Sequence, residues 1–206
     1  MKKKINFKEI ALMMVLATTT LFLVSCNKNQ RQQDTKTVAE KQNEAKFDND
    51  KHEKDVKFLI NASENNLEQI QLGQLAQQKG TTNHVRELGK TMENAHTKSQ
   101  KDLTELAKNK NISIPSSSTN DSRDAYKDLN EKSGDDFDKA YANRMVKGQN
   151  NTISTYEKAL NDFQDSDIKN WVTASLPVMR SNYDRSVDCQ NKFNNMTLEK
   201  TTKKTM

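Results

Sequence analysis

Glycine, proline, cysteine and aromatic residues are all scarce in this chain. Its 206 residues hold five glycines, two prolines, two cysteines, one tryptophan and three histidines, with aromatics at 6%. Neither a glycine-rich phosphate loop nor a dinucleotide fingerprint occurs, so the usual sequence signals for nucleotide chemistry are missing. The cysteines, Cys26 and Cys189, form no zinc-type pair. Cys189 stands far from any histidine, and no third group suggests a Cys–His nucleophile. No stretch of the domain sustains the alternation expected of strands. No compact basic block with interleaved aromatics points to nucleic acid, which is not expected as a partner.

What is present begins with Met1-Lys2-Lys3-Lys4, followed by an almost wholly apolar or small run from Ile10 to Val24. A basic end before a short greasy core is the layout of a secretory signal. The core is too short for an ordinary spanning helix, which needs about 20 apolar residues. Leu23-Val24-Ser25-Cys26 resembles the lipobox of bacterial lipoproteins. That resemblance implies cleavage before Cys26, a diacylglyceryl group on its sulfur, and an acyl chain on the new amino end. One chain holds a protein only marginally, whereas two or more anchor it stably. Asn27 follows in place of an aspartate, which leans toward the outer membrane, facing the periplasm. The first 25 residues carry four lysines and one glutamate, so without them the formal net charge falls from +5 to +2. The high isoelectric point is then partly a property of the signal.

The expected organisation is a signal over 1–25, a lipidated cysteine and flexible tether over 26–50, a domain over 51–193, and a frayed polar tail over 194–206. The tether reading rests on a near absence of large apolar groups. With Cys26 lipidated, Cys189 is left without an intrachain partner, and it reads as a surface or half-buried thiol.

Four segments carry helical spacing. The first runs roughly from Glu53 to Lys79, with Val56, Leu59, Ile60, Leu67, Ile70 and Leu75 as its apolar positions. Gly73 within it suggests a close helix crossing, and Gly80 a stop. The second runs from Asn83 to Asn109 along Val85, Leu88, Met92, Ala95, Leu103 and Leu106. A proline-containing loop and a short helix over 122–132 follow. The third, Phe137 to Phe163, shows Tyr141, Met145, Thr152, Tyr156, Ala159 and Phe163, with Gln149 on the same face and Asp135 or Asp136 as cap. The fourth runs from Ile168 to Phe193 along Ile168, Val172, Leu176, Met179, Tyr183 and Val187, capped from Asp165-Ser166-Asp167. Pro177 predicts a kink or local break. Four such stripes are buried most simply against one another, as an all-α four-helix bundle with a short extra helix between helices two and three.

Among the histidines, His52 and His84 read as solvated or capping groups. His96 falls at the edge of the inward face and reads as half-buried with one hydrogen bond. Glu93 stands three residues before it, giving one Glu-x-x-His spacing where a di-iron bundle needs two.

Phe58 to Ala62, the Leu72-Gly73-Gln74-Leu75-Ala76 run, Met92 to His96, Phe137-Asp138-Lys139-Ala140-Tyr141 and Leu176-Pro177 together resemble the bacterial domain of unknown function 4142. The resemblance covers about residues 50–189. It implies a ferritin-like helical fold in a family of exported proteins often described as outer membrane proteins, with no settled activity. It also implies polar groups inside the bundle. His96 matches the family's histidine on helix two, while its other histidines fall at Gln149 and Asn182 in this chain and a glutamate falls at Gln69, beside Glu68. Amides hydrogen-bond well but ligate iron or zinc poorly.

The expectation is therefore a membrane-anchored envelope lipoprotein with a non-enzymatic structural or interaction domain, no resident cofactor, and the bilayer and another envelope protein as partners. The alternative is a ferritin-like metal or redox protein using His96, Glu93 and Glu68. A third reading is a small-ligand carrier with a gap near Tyr141, Tyr156 and Trp171.

Overall fold

The computed structural model describes residues 34–47 and 50–204, without the side chains of 50–52 and 197–204. Among the described residues there are six helices and no strand: α1 Thr35–Glu44, α2 Asp50–Lys79, α3 Asn83–Asn109, α4 Asn120–Asn130, α5 Gly134–Asp162 and α6 Ser166–Lys204. The architecture is all-α, with the helix packing of a bundle. α2 and α3 pair as one hairpin and α5 and α6 as another, and the hairpins meet chiefly through α3 and α6. α2 and α5 also face each other, along a much thinner seam.

The local signals account for most helix ends. Thr82 caps α3 by accepting from the Val85 N–H. α3 closes on Asn111, whose φ of 57° is left-handed. Its N–H and that of Ile112 return to the carbonyls of Lys108 and Ala107, an arrangement asparagine tolerates better than most residues. Asp165 caps α6 through the N–H groups of Asp167 and Ile168. Ser133 rather than Asp135 or Asp136 precedes α5, and it makes no side-chain cap bond; the two aspartates sit in the first turn, where they favour the positive end of the helix dipole.

Gly73 and Gly89 set the α2–α3 crossing. A Cβ on Gly73 would stand 2.6 Å from the Gly89 carbonyl oxygen, and one on Gly89 would stand 2.7 Å from that of Gly73. The backbones touch, so the glycine penalty in each helix is offset by close packing.

Apolar side chains gather in two clusters. One holds Phe58, Leu59, Leu103, Tyr156, Phe163, Ile168, Val172 and Met179, with Trp171 packed on it. The other holds Leu72, Leu75, Leu88, Met92, Phe137, Tyr141, Met145 and Cys189. On each long helix the residues between the clusters are buried and polar: Ser63, Asn66 and Gln69; His96 and Ser99; Gln149 and Thr152; Asn182 and Ser186. The core is thus interrupted by a polar layer at mid-height.

Several expectations need correction. The tether expected up to residue 50 contains α1, with Ala39 and Asn43 buried. Asn43 exchanges two bonds with the Ser113 backbone at 2.7 Å each, and Lys36 pairs with Glu64. This polar helix docks through hydrogen bonds, which a hydropathy reading does not register. α6 runs on as helix to Lys204, past the expected end at 193. The helix is continuous through Pro177, so no local break occurs. The inward stripe of α6 passes along Asn182, Ser186 and Cys189, while Tyr183 and Val187 are half-buried. Leu67 and Ile70 of α2 are half-buried too, because Ser63, Asn66 and Gln69 take the inward positions. Cys189 is buried, not at the surface, and burial pushes its thiol up to about 11.

Candidate functional site

The polar layer is built around His96. Its ring is fully buried, not at the edge of the face, and both nitrogens are engaged. Nδ1 lies 2.8 Å from Asn66 Oδ1 and Nε2 lies 3.0 Å from Gln149 Nε2. The chain of bonds continues outward. Asn66 Nδ2 donates to Gln100 Oε1 at 3.4 Å, Gln100 Nε2 donates to Ser63 Oγ at 2.9 Å, and Ser63 Oγ donates to the Pro115 carbonyl at 2.9 Å.

The last link sets the direction of all the others. A backbone carbonyl only accepts, so the single Ser63 proton goes to Pro115, and Ser63 must accept from Gln100. That orients the Gln100 amide, which orients Asn66, which requires a proton on His96 Nδ1. Nε2 is then the acceptor and takes the Gln149 N–H. The second Gln149 N–H reaches Met92 Sδ at 3.4 Å. His96 is therefore the neutral Nδ1–H tautomer. Burial with no compensating charge depresses its pKa to about 4.

The four residues expected as a buried polar cluster, His96, Gln69, Gln149 and Asn182, are all buried. The hydrogen bond within this set runs between His96 and Gln149. Gln69 Oε1, Gln149 Oε1 and Asn182 Nδ2 find no partner. Asn66, Ser63 and Gln100, which complete the relay, do not stand out in the sequence. The signal that could have found them is polar residues at positions 63 and 66, in register with Leu59.

The alternative metal ligands lie in three different settings. Glu93 accepts from Gln77 and Gln74 on α2, and these bonds lower its pKa. Glu68 accepts from the Arg144 guanidinium at 2.8 and 3.2 Å. His96 is in the relay. No three His, Cys, Asp or Glu side chains converge among the described residues. The layer does not fit a resident iron or zinc ion either. Its donors are one histidine with an occupied Nε2 and several neutral amides, without a carboxylate to balance the charge.

Asp138 is a second buried polar feature, and sequence reasoning missed it. Its carboxylate takes the Thr81 N–H at 2.9 Å, the Thr81 hydroxyl at 2.7 Å and the Thr82 N–H at 3.0 Å. It clasps the α2–α3 turn onto α5. Its only sequence signal is a position between Phe137 and Tyr141, both inward-facing. His84, beside that turn, is exposed. Cys26 lies outside the described residues, and so does the side chain of His52.

Tyr141 and Tyr156, expected near one gap, belong to different clusters. Tyr141 stacks on Phe137 at 6.2 Å between ring centroids. Tyr156 meets Trp171 at 5.3 Å and Phe58 at 5.6 Å. A groove of about 460 Å³ opens instead between α2 and α5, with Tyr156, Gln69 and the Glu68–Arg144 pair in its lining.

The fold and this site define an all-α helical-bundle protein whose interior carries a histidine–amide relay. The chain belongs to the family named Domain of unknown function (DUF4142), whose model matches residues 37–187. Neither the curated proteins nor the solved structures gave a match.

Proposed function

We propose that this protein is a lipoprotein of the bacterial cell envelope, anchored through acyl chains on Cys26, whose helical domain is a non-enzymatic structural or interaction module. In this reading the four long helices form a ferritin-like four-helix bundle without its metal centre. The outer membrane, on its periplasmic face, is the proposed location, with the bilayer and a second envelope protein as partners.

The observation that carries the module reading is the one-way relay from Gln149 through His96 to Pro115. A histidine held neutral, with both nitrogens engaged, is neither a free base nor an open ligand. Such a layer suits specifying which helix faces meet. Support for the anchor comes from the basic start, the short apolar core and the Leu23-Val24-Ser25-Cys26 box. No described helix is long and apolar enough to cross a membrane, so in this reading attachment falls to the acyl chains.

The anchor is tested by labelling bacteria that make the full chain with tagged palmitate and fractionating their membranes. Label and membrane association should both be lost in Cys26→Ala; an unlabelled wild-type chain would sink the lipoprotein reading. Elemental analysis of the purified chain tests the module reading. Near-stoichiometric iron, manganese or zinc that disappears in His96→Ala would replace it with the ferritin-like metal or redox alternative using His96, Glu93 and Glu68.

A further inference from the structure

We propose that the groove between α2 and α5 binds a small carbohydrate carrying one carboxylate. The inference rests on the groove and not on the lipid anchor.

At about 460 Å³ the groove falls within the size range of small-molecule sites. Its chemistry is unlike the mostly apolar lining of such sites. Asn61, Asn65, Gln69, Asn151, Thr152 and Thr155 bring amides and hydroxyls to one surface. Asn65 donates to the Thr152 hydroxyl, which donates in turn to the Gly148 carbonyl; the remaining amides and hydroxyls pair well with an alcohol, which donates and accepts at once. Phe58, Ala62 and Tyr156 add a short apolar wall, which suits the C–H face of a sugar ring.

Two buried groups of the lining have a polar atom with no partner, Gln69 Oε1 and Tyr156 OH. Orphaned buried polar atoms are uncommon and call for an explanation. Both are screened from solvent in this conformation, so a group in the groove pairs with them only once their side chains turn toward it. A hydroxyl supplies a donor for the amide oxygen and an acceptor for the phenol.

The rim selects the charge. Arg144 is already balanced by Glu68. Lys147 is exposed and makes no ion pair among the described residues, so the groove holds one uncompensated cation. One carboxylate matches one free ammonium. A phosphate dianion is better served by two free cations or a cluster of backbone N–H groups, and here the second cation, Arg144, is already paired with Glu68.

The chain has a built-in reporter. Trp171 is its one tryptophan and packs on Tyr156, which lines the groove. The experiment titrates the full chain, in detergent micelles, with glucuronic acid and with glucose, which differ only at the carboxylate. Trp171 fluorescence and equilibrium dialysis with labelled sugar are read together. Glucuronic acid should bind saturably, and glucose about tenfold more weakly, as for the loss of one charged contact. Lys147→Gln should bring glucuronic acid down to the glucose level without changing glucose. Asn151→Phe, an exposed position on the groove wall, should abolish both. The proposal is overturned if dialysis finds no binding of either sugar up to about 10 mM. Equal affinity for the two sugars, or wild-type binding by Asn151→Phe, would overturn it as well.

Discussion

Two buried side chains carry the clearest energetic consequences at the scale of single residues. His96 is neutral in the fold and has its pKa depressed from 6.5 to about 4. The unfolded chain therefore binds a proton below pH 6.5 that the folded chain refuses until about pH 4. The His96 contribution to stability is complete above pH 6.5 and is lost as pH falls through this window, by about 3 kcal/mol in total. Urea unfolding of wild type and His96→Gln at pH 7 and pH 4.5 should show a steeper loss in wild type; parallel losses would contradict it. Asp138 is the second case. Asp138→Ala strands two N–H groups and a hydroxyl of the α2–α3 turn. It should cost about 3 kcal/mol in urea midpoint analysis, since bonds to a charged group are worth about 1.5–3 kcal/mol each before compensation by water.

Helix pairs respond differently from single side chains, because a helix moves as a unit. Gly73→Ala gains about 1 kcal/mol of helix propensity. It also drives a methyl to within 2.6 Å of the Gly89 carbonyl on a neighbouring backbone, which cannot swing aside. The expected net effect is a loss of about 2 kcal/mol, at the level of an overpacked core. Chemical denaturation reads it, and a gain in stability would mean that α2 and α3 do not cross there. Pro177 offers the opposite sign. It is exposed and lies inside α6 without breaking it. Pro177→Ala restores one backbone bond and removes a clash, so the melting temperature should rise, with a gain of about 1–3 kcal/mol.

The whole molecule is held by long-range ties as well as by its helix faces. α1 joins α2 and the loop before α4: Thr35 donates to the Ser117 carbonyl, Lys36 pairs with Glu64, and Asn43 brackets Ser113. If α1 is part of the cooperative unit, Asn43→Ala should lower global stability by about 1–2 kcal/mol. It should also speed amide exchange across α1 and residues 111–119 together. Exchange raised in α1 alone would mean that the helix opens independently.

The sequence by itself determined five of the six described helices, all but α1, and most of the apolar stripes. The 3.6-residue spacing survives in Leu59, Leu88, Met92, Tyr141, Met145, Val172 and Met179 whatever packs against them. It also carried the match to the family that the chain belongs to. The stripes misled where polar residues replaced apolar ones on the inward face, at Ser63 and Asn66 on α2 and at Ser186 on α6, whereas the family resemblance had already placed Gln69 and Asn182 inside. Hydropathy assigns such positions to solvent, and their burial depends on partners far along the chain, as with Asn66 and His96, 30 residues apart. The docking of α1, the clasp made by Asp138 and the separation of Glu68, Glu93 and His96 were decided by tertiary structure alone. A hydrogen bond needs two groups within about 3 Å at a set angle, and spacing along one helix cannot reveal where another helix will bring its partner.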